Sequence, residues 1–448
     1  MSEPKTEVVF QDLSPNAEVD AETDQWLGRL AERLYGEDHV LHLAGAARND
    51  DEDLPALSRD TFGTWWAGRF IGELRFEDRV LRIEPRLGMD VIGQWLSYAL
   101  NLNVIPKSAT RSGKGPMIAQ LIDRIWSAAV ADASRHGGPR VRRTVVNRGP
   151  YVRDRLDVGK TVKLRAEGKP FVSTVRSERS LENPVSKILV LADRTLCSMI
   201  GERPEWRPDR CEETLSHLRQ AVGSAPGMPH ETELRRVRYS PITRPFQSLA
   251  SFSMEIAKKR GHLVSAERDD ISGVLIDVAE LWELFLVHCA RLAFGATRVE
   301  HGTSEGESAF LLTSTTKPGA TMGRLKPDIL IRDETGNVTA VIDAKYKRLR
   351  GRQGSPHGVD RGDLYQLTSY LTGHPEVRLG GLAYPEHPRD EASANDHGPW
   401  ATNFGHRVRF DRYAPDVDSA KAQLLRIVAP NSRFRSTPPV RPELVRTP

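Results

Sequence analysis

Within Lys326–Lys347, KPDILIRDETGNVTAVIDAKYK, two aspartates and a lysine stand where metal-assisted hydrolysis of a phosphodiester would need them. Pro327-Asp328 opens a β-type run from Ile329 to Ile331, Asp333-Glu334-Thr335-Gly336-Asn337 supplies turn residues, and Val338 to Ile342 returns as a second strand. The segment reads as a β-hairpin. Side chains alternate along a strand, which sends Val338, Ala340 and Ile342 to one face and Val341, Asp343 and Lys345 to the other. Asp328, at the start of the neighbouring strand, approaches the same end. Two hard carboxylates, with the Ala344 carbonyl, suit Mg²⁺, or Mn²⁺ in its place, with several waters retained. Such a metal lowers the pKa of a bound water and neutralises phosphate charge, while Lys345 orients the nucleophile or stabilises developing negative charge. The competing reading is a solvated charge pair, since acid-x-Lys triplets are frequent on exposed strand ends.

The elements that must hold these groups follow from periodicity. Upstream, Val274, Val278, Leu281, Trp282, Phe285, Cys289 and Leu292 recur at helical spacing, so an amphipathic helix covers one face of the sheet. Glu283 lies off that stripe. Downstream, Gln366 and Tyr370 stand at i and i+4 and share a helical face. Leu379–Tyr384 and Arg407–Phe410 supply later strands, and the order helix, hairpin, helix, strands describes an α/β core. Arg348–Gly362, rich in Gly and Arg, reads as a mobile loop beside the catalytic strand, either touching phosphates or merely basic and solvated.

Asp328 with Asp343-Ala344-Lys345 resembles the PD-(D/E)XK nuclease signature, with Asp in place of the commoner Glu. Extended to Asp343-Ala344-Lys345-Tyr346-Lys347, it is similar to the motif of the McrC family, the nuclease subunit of modified-cytosine restriction systems. Gln366 and Tyr370 match the Gln-x-x-x-Tyr element that accompanies this nuclease subclass. The likeness continues in Phe70-Ile71-Gly72-Glu73-Leu74 followed by Leu81-Arg82-Ile83-Glu84-Pro85-Arg86, and in Arg155-Leu156-Asp157-Val158-Gly159-Lys160 with Asn183 downstream. It runs from about Phe62 to Tyr370. The resemblance implies that Glu283 is the acidic residue of the first core helix, although a helical glutamate is also commonly just solvated. It further implies that Gln366 and Tyr370 support the active site or contact the DNA backbone. A separate AAA+ GTPase resembling McrB would be the motor, with the N-terminal and middle regions of this chain docked on it.

The 448 residues leave room for two or three domains. The expected architecture is a multidomain α/β chain with a β-rich N-terminal domain over 1–115, available for partner docking, and a mainly helical middle region over 116–265. A PD-(D/E)XK restriction-endonuclease-like α/β domain over 266–430 and a disordered Pro- and Arg-rich tail over 431–448 complete it. In the first domain, Met1–Asp24 is acidic and poor in periodicity, so its far end reads as a flexible lead-in, with Val8–Phe10 as an edge strand, Trp26–Tyr35 as a short helix, and Phe62–Phe76 with Val80–Pro85 as a hairpin. Trp65, Trp66 and Phe70 read as core, or as a surface for a partner or base. In the middle region, Met117–Ala133, Val185–Ile200, Glu212–Val222 and Phe246–Lys259 read as helices. Between the first two, Arg135–Arg165 is the strongest basic segment, suited to a DNA backbone, to an acidic partner or simply to solvent.

Composition narrows the setting. A formal net charge of +4 is small for this length, so attraction to DNA must come from local patches. No apolar run reaches the length of a membrane span, and Met1-Ser2-Glu3-Pro4 has no basic region followed by an apolar core, which makes the cytoplasm the expected compartment. Three cysteines, Cys197, Cys211 and Cys289, lack Cys-x-x-Cys spacing and read as buried thiols. Gly159-Lys160-Thr161 ends like a phosphate-binding loop, but Asp154 occupies the position where that loop needs glycine, so nucleotide hydrolysis is not expected of this chain. The combined expectation is a Mg²⁺-dependent DNA endonuclease subunit of a McrBC-like restriction system activated by an AAA+ GTPase. The alternatives are a non-catalytic DNA-binding or regulatory subunit and a standalone nuclease. No residue set marks a pocket for a modified base.

Overall fold

Asp333 closes the central hairpin. Its carboxylate accepts from the amides of Thr335 (2.9 Å) and Asn337 (3.0 Å), and its own amide donates to the Asn337 carbonyl at 2.9 Å. Gly336 takes φ of 91°, a left-handed conformation that costs glycine little. The turn sets the antiparallel register Ile329↔Ile342, Leu330↔Val341 and Ile331↔Ala340 between strands Ile329–Arg332 and Val338–Ala344. The computed structural model containing this hairpin describes residues 6–16, 19–34, 40–41, 55–100, 116–201, 203–258, 271–302, 309–347, 349, 358–374, 376–387 and 400–428. The tail 431–448, and all of Arg348–Gly362 except Leu349 and 358–362, lie outside these residues.

The hairpin sits within a six-stranded mixed sheet ordered Val299–His301, Ile329–Arg332, Val338–Ala344, Leu379–Pro385, Arg407–Tyr413 and Trp400–Ala401. The Asp343 strand pairs parallel with Leu379–Pro385, which pairs parallel with Arg407–Tyr413. On one face, Leu330, Val341, Leu382, Val408 and Phe410 pack with Leu367, Tyr370 and Leu371 of helix Arg361–Gly373. Ala340 and Ile342 point the other way and are equally buried, as a sheet covered on both faces requires. Helix Val278–Phe294 also packs on the Asp343 strand, and its Trp282 indole donates to the Ala383 carbonyl at 3.1 Å.

That helix starts later than the apolar stripe suggests. Asp277 caps it, accepting from Ala279 N at 2.9 Å, and Val274 lies in the preceding strand Ser272–Asp277. At the other end Leu292 is exposed. A buried strand running directly into a buried helix merges two apolar periods into one apparent stripe.

Contacts divide the chain into two units, residues 1–99 with 275–448, and residues 100–274. The N-terminal segment thus shares a unit with the hairpin, a division that differs from the linear borders at 115, 265 and 430. Strand Thr6–Gln11 forms the edge of a five-stranded sheet, pairing parallel with Arg79–Glu84, which pairs antiparallel with Phe70–Phe76. Helix Ala21–Arg33 buries Trp26, Leu27 and Leu30, and the Trp26 indole donates to the Phe76 carbonyl at 3.3 Å. Its first turn falls inside Met1–Asp24, the segment poor in periodicity. Trp65 and Phe70 are core, whereas Trp66 is 38% exposed. Helix Met89–Ala99 carries Trp95, whose indole stacks on Phe285 and meets Trp282 at a tilt.

In the second unit, helices Met117–Ala133, Pro184–Ile200, Asp209–Val222 and Phe246–Lys258 bury an ionic network in which Arg207 pairs with Asp123 at 2.5 Å and Asp193 at 2.6 Å. The unit is less helical than expected. Part of the basic segment forms strand Val141–Gly149, which pairs antiparallel with Val172–Ser180, and the short Arg155–Leu156 strand completes a three-stranded sheet. Among the cysteines, Cys211 and Cys289 are buried and Cys197 is half-buried. No helix among the described residues is long and apolar enough to cross a membrane.

Candidate active site

The hairpin register places Asp328 one residue before Ile329, facing the position of Asp343 one residue after Ile342. Both side chains are buried. Asp328 Oδ2 accepts from the Ala344 amide at 2.6 Å, which fixes the carboxyl against the end of the Asp343 strand. The Lys345 ammonium lies 2.9 Å from Asp343 Oδ2 and donates to Gln366 Oε1 at 2.6 Å. Gln366 Nε2 in turn donates to the Tyr370 hydroxyl at 3.0 Å, so the i, i+4 pair of the helix is joined by a hydrogen bond and tied to the strand through the lysine.

Electrostatics describe a crowded acidic centre. Burial pushes the Asp328 carboxyl well above 3.8, and the negative charges of Glu283 and Asp343 push it further, against the opposing pull of Lys345. Asp343 is raised by burial as well, with Lys345 and a hydrogen bond to Asp328 working the other way. The two carboxyls titrate as a pair and do not readily ionise together. Burial disfavours the Lys345 charge, but Asp343 and Asp328 more than offset it and hold the ammonium above the usual lysine value. Lys345 is therefore a cation at neutral pH and not a base. The Tyr370 hydroxyl is raised by burial and then by Asp343 and Asp328, so it remains a proton donor.

Glu283, from helix Val278–Phe294, hydrogen-bonds through Oε1 to the His301 ring. It lies close enough for its charge to act on Asp328 and Tyr370. All of Glu283, Asp328, Asp343, Ala344, Lys345, Gln366 and Tyr370 thus converge, although four elements contribute them. Among the described residues no compact set of three His, Cys, Asp or Glu ligands occurs, so a cation here would draw its remaining ligands from backbone oxygen and water.

Several partners of this centre carried no recognisable sequence signal. His301 ends the strand paired with Ile329–Arg332 and stands opposite Ile329. Asp363 accepts from Lys347 Nζ at 3.0 Å at the start of the Gln366 helix. Asp12 and Arg86 meet Tyr346 from the N-terminal sheet. Arg86 alone had a hint, as the basic end of the Ile83-Glu84-Pro85-Arg86 turn. Gly159-Lys160-Thr161 lies in helix Val158–Ala166, where the Asp157 carboxylate accepts from Lys160 N at 3.0 Å and occupies the N-terminus a phosphate would need.

The comparisons with known proteins agree with the motif reading. No curated protein sequence matches the chain. Among solved structures, a chain of a refined half-complex from a tetradecameric assembly of Thermococcus gammatolerans McrB AAA+ hexamers with bound McrC is 13% identical. That match covers 94% of this chain and 100% of the other with a TM-score of 0.55, a likeness of fold. The cryo-EM structure of the Thermococcus gammatolerans McrBC complex matches at 14% identity over 63% of this chain and 87% of the other. Its TM-score is 0.40. The family model described as McrBC 5-methylcytosine restriction system component matches residues 66–385, most of the chain and every residue of the acidic centre, and the chain belongs to that family.

Proposed function

We propose that this chain is the DNA-cleaving subunit of a McrBC-type restriction system, a Mg²⁺-dependent endonuclease of the PD-(D/E)XK type that works with a McrB-like AAA+ GTPase in the cytoplasm. The observation that carries the reading is the buried contact of Lys345 with both Asp343 and Gln366, beside Asp328. A solvated charge pair on a hairpin would not be buried, nor would it recruit a residue from a separate helix.

A divalent metal suits this donor set. Two carboxyls whose ionisation burial opposes gain most from a hard cation, and both are oxygen donors. Asp328, Asp343 and the Ala344 carbonyl would hold it, with Mn²⁺ able to substitute. Bound there, it would supply the acidity of a coordinated water and neutralise phosphate charge. The chain's own groups do the rest. Lys345, kept protonated, sets a positive charge where negative charge builds on the reacting phosphate. Gln366 holds that ammonium in place, and Tyr370 holds Gln366. Glu283 adds a further carboxylate beside Asp328, oriented by His301.

The partner assignment draws on the family and on the McrB-bound assembly to which the fold is similar. The deciding experiment is cleavage of methylated and unmethylated plasmid by wild type and Asp343→Ala, each with and without the AAA+ partner, GTP and Mg²⁺. Loss of cutting in the variant with partner dependence in the wild type supports the proposal. Equal behaviour of the two proteins would make the chain a non-catalytic DNA-binding or regulatory subunit. Partner-independent cutting would make it a standalone nuclease.

A further inference from the structure

Tyr346 separates Lys345 from Lys347, and the three consecutive side chains reach three different parts of the fold. Lys345 enters the acidic centre, and Lys347 binds Asp363 at the start of the Gln366 helix. Tyr346 turns toward the N-terminal sheet, where its hydroxyl donates to Asp12 Oδ2 at 2.7 Å. Asp12 follows the edge strand Thr6–Gln11, and its other oxygen accepts from the Arg86 amide at 2.5 Å. The Arg86 guanidinium covers the Tyr346 ring at 4.4 Å from its centroid, with Nε 3.7 Å from Asp12 Oδ2. Trp95 meets the same ring edge-on at 6.5 Å between centroids. Asp12, Arg86 and Tyr346 are all buried.

Burial of an aspartate, an arginine and a tyrosine together carries a desolvation cost that ordinary packing would avoid. An apolar residue at position 346 would also fill a site lined by Trp95. The polar set instead gives direction: the hydroxyl can satisfy Asp12 from one ring orientation only, and the ring fixes the backbone of the residue that follows Lys345. The Lys345 amide is pinned on the other side, donating to the Ala383 carbonyl at 2.8 Å.

We propose that Asp12, Arg86 and Tyr346 form a positioning cluster through which the N-terminal sheet fixes Lys345 for the cleavage reaction. This rests on the nuclease reading above and adds to it that residues far upstream, Asp12 by 334 positions from Tyr346, set the geometry of the catalytic lysine. None of the three touches the reacting phosphate. They act on the backbone between Lys345 and Lys347, so their effect belongs in turnover and not in DNA binding.

The test uses the full chain with its AAA+ partner, GTP and Mg²⁺, comparing wild type, Tyr346→Phe, Asp12→Asn and the double variant. Turnover should fall about 10- to 100-fold in each single variant, the scale expected of a small displacement of a catalytic group, with DNA affinity unchanged. The double variant should fall no further than the singles, because one linkage is broken in all three. Amide hydrogen exchange should quicken at 343–347 in each variant and nowhere else in the sheet. Wild-type turnover and exchange in Tyr346→Phe, or losses that multiply in the double variant, would overturn the proposal. Asp343→Ala serves as the separate control: if that variant still cuts, the nuclease reading fails, whatever the cluster does.

Discussion

Asp328 brings its carboxyl into a buried site beside Asp343 and within the field of Glu283, which makes the charged form a burden on the fold. Because its folded value lies well above 3.8, the stability it contributes is present below that pH. It is lost as pH rises from the ordinary carboxylate range through the elevated value, so above that range the buried carboxyl disfavours folding. Asp328→Asn should therefore stabilise the metal-free protein by about 0.5–2 kcal/mol in thermal melts at pH 7.5 while lowering cleavage at least about 10²-fold. Mg²⁺ should reverse the ranking. At 100 times its Kd it would stabilise the wild type by about 2.7 kcal/mol and leave Asp328→Asn nearly unmoved, which calorimetry with and without the ion would read. For Lys345→Ala, loss of the ammonium predicts about 10²- to 10³-fold slower cleavage at unchanged DNA affinity in filter binding.

Strand and helix ends decide whether these residues meet. Gly302 follows the His301 strand, and a Cβ there would lie 2.0 Å from the Pro327 carbonyl oxygen, a backbone atom next to Asp328. Gly302→Ala should cost about 1–3 kcal/mol in denaturant unfolding and reduce cleavage with it, because the clash is relieved only by moving the segment that carries Asp328. Much at this scale could be read from sequence. Alternation with an Asp-x-x-Gly-Asn turn gave the hairpin, and i, i+4 spacing gave the Gln366 and Tyr370 face. Val274 was misassigned because strand and helix join directly, with the capping Asp277 the only polar residue between their apolar runs. The strand Val141–Gly149 escaped notice because its side chains are exposed or half-buried throughout, leaving no alternation to detect. Asp12 and His301 had no signal, since each is defined only by a distant partner.

At the scale of the whole molecule, charge is local. In the basic sheet Arg142 stands directly opposite Arg179, a pairing that strands disfavour unless an anion relieves it, whereas Arg143 opposite Glu178 is paired at 3.0 Å. If this sheet meets DNA phosphates, Arg142→Ala/Arg148→Ala/Arg155→Ala should weaken binding alike on all sequences and flatten the log K against log salt slope by about 2–3; an unchanged slope would assign the sheet to another partner. The shared unit of residues 1–99 and 275–448 also predicts that 275–448 expressed alone is insoluble or inactive and is recovered by co-expression with 1–99. A ribosome gives that division a temporal meaning. Asp12 emerges 334 residues before Tyr346, which at about 5–20 residues per second is roughly 20–70 s of synthesis. During that interval Asp12 waits without its distal partner, and a chain released early by a premature stop ends before the proposed catalytic lysine. Under the proposed function, the acidic centre would thus be assembled only after the N-terminal sheet that braces it has been made.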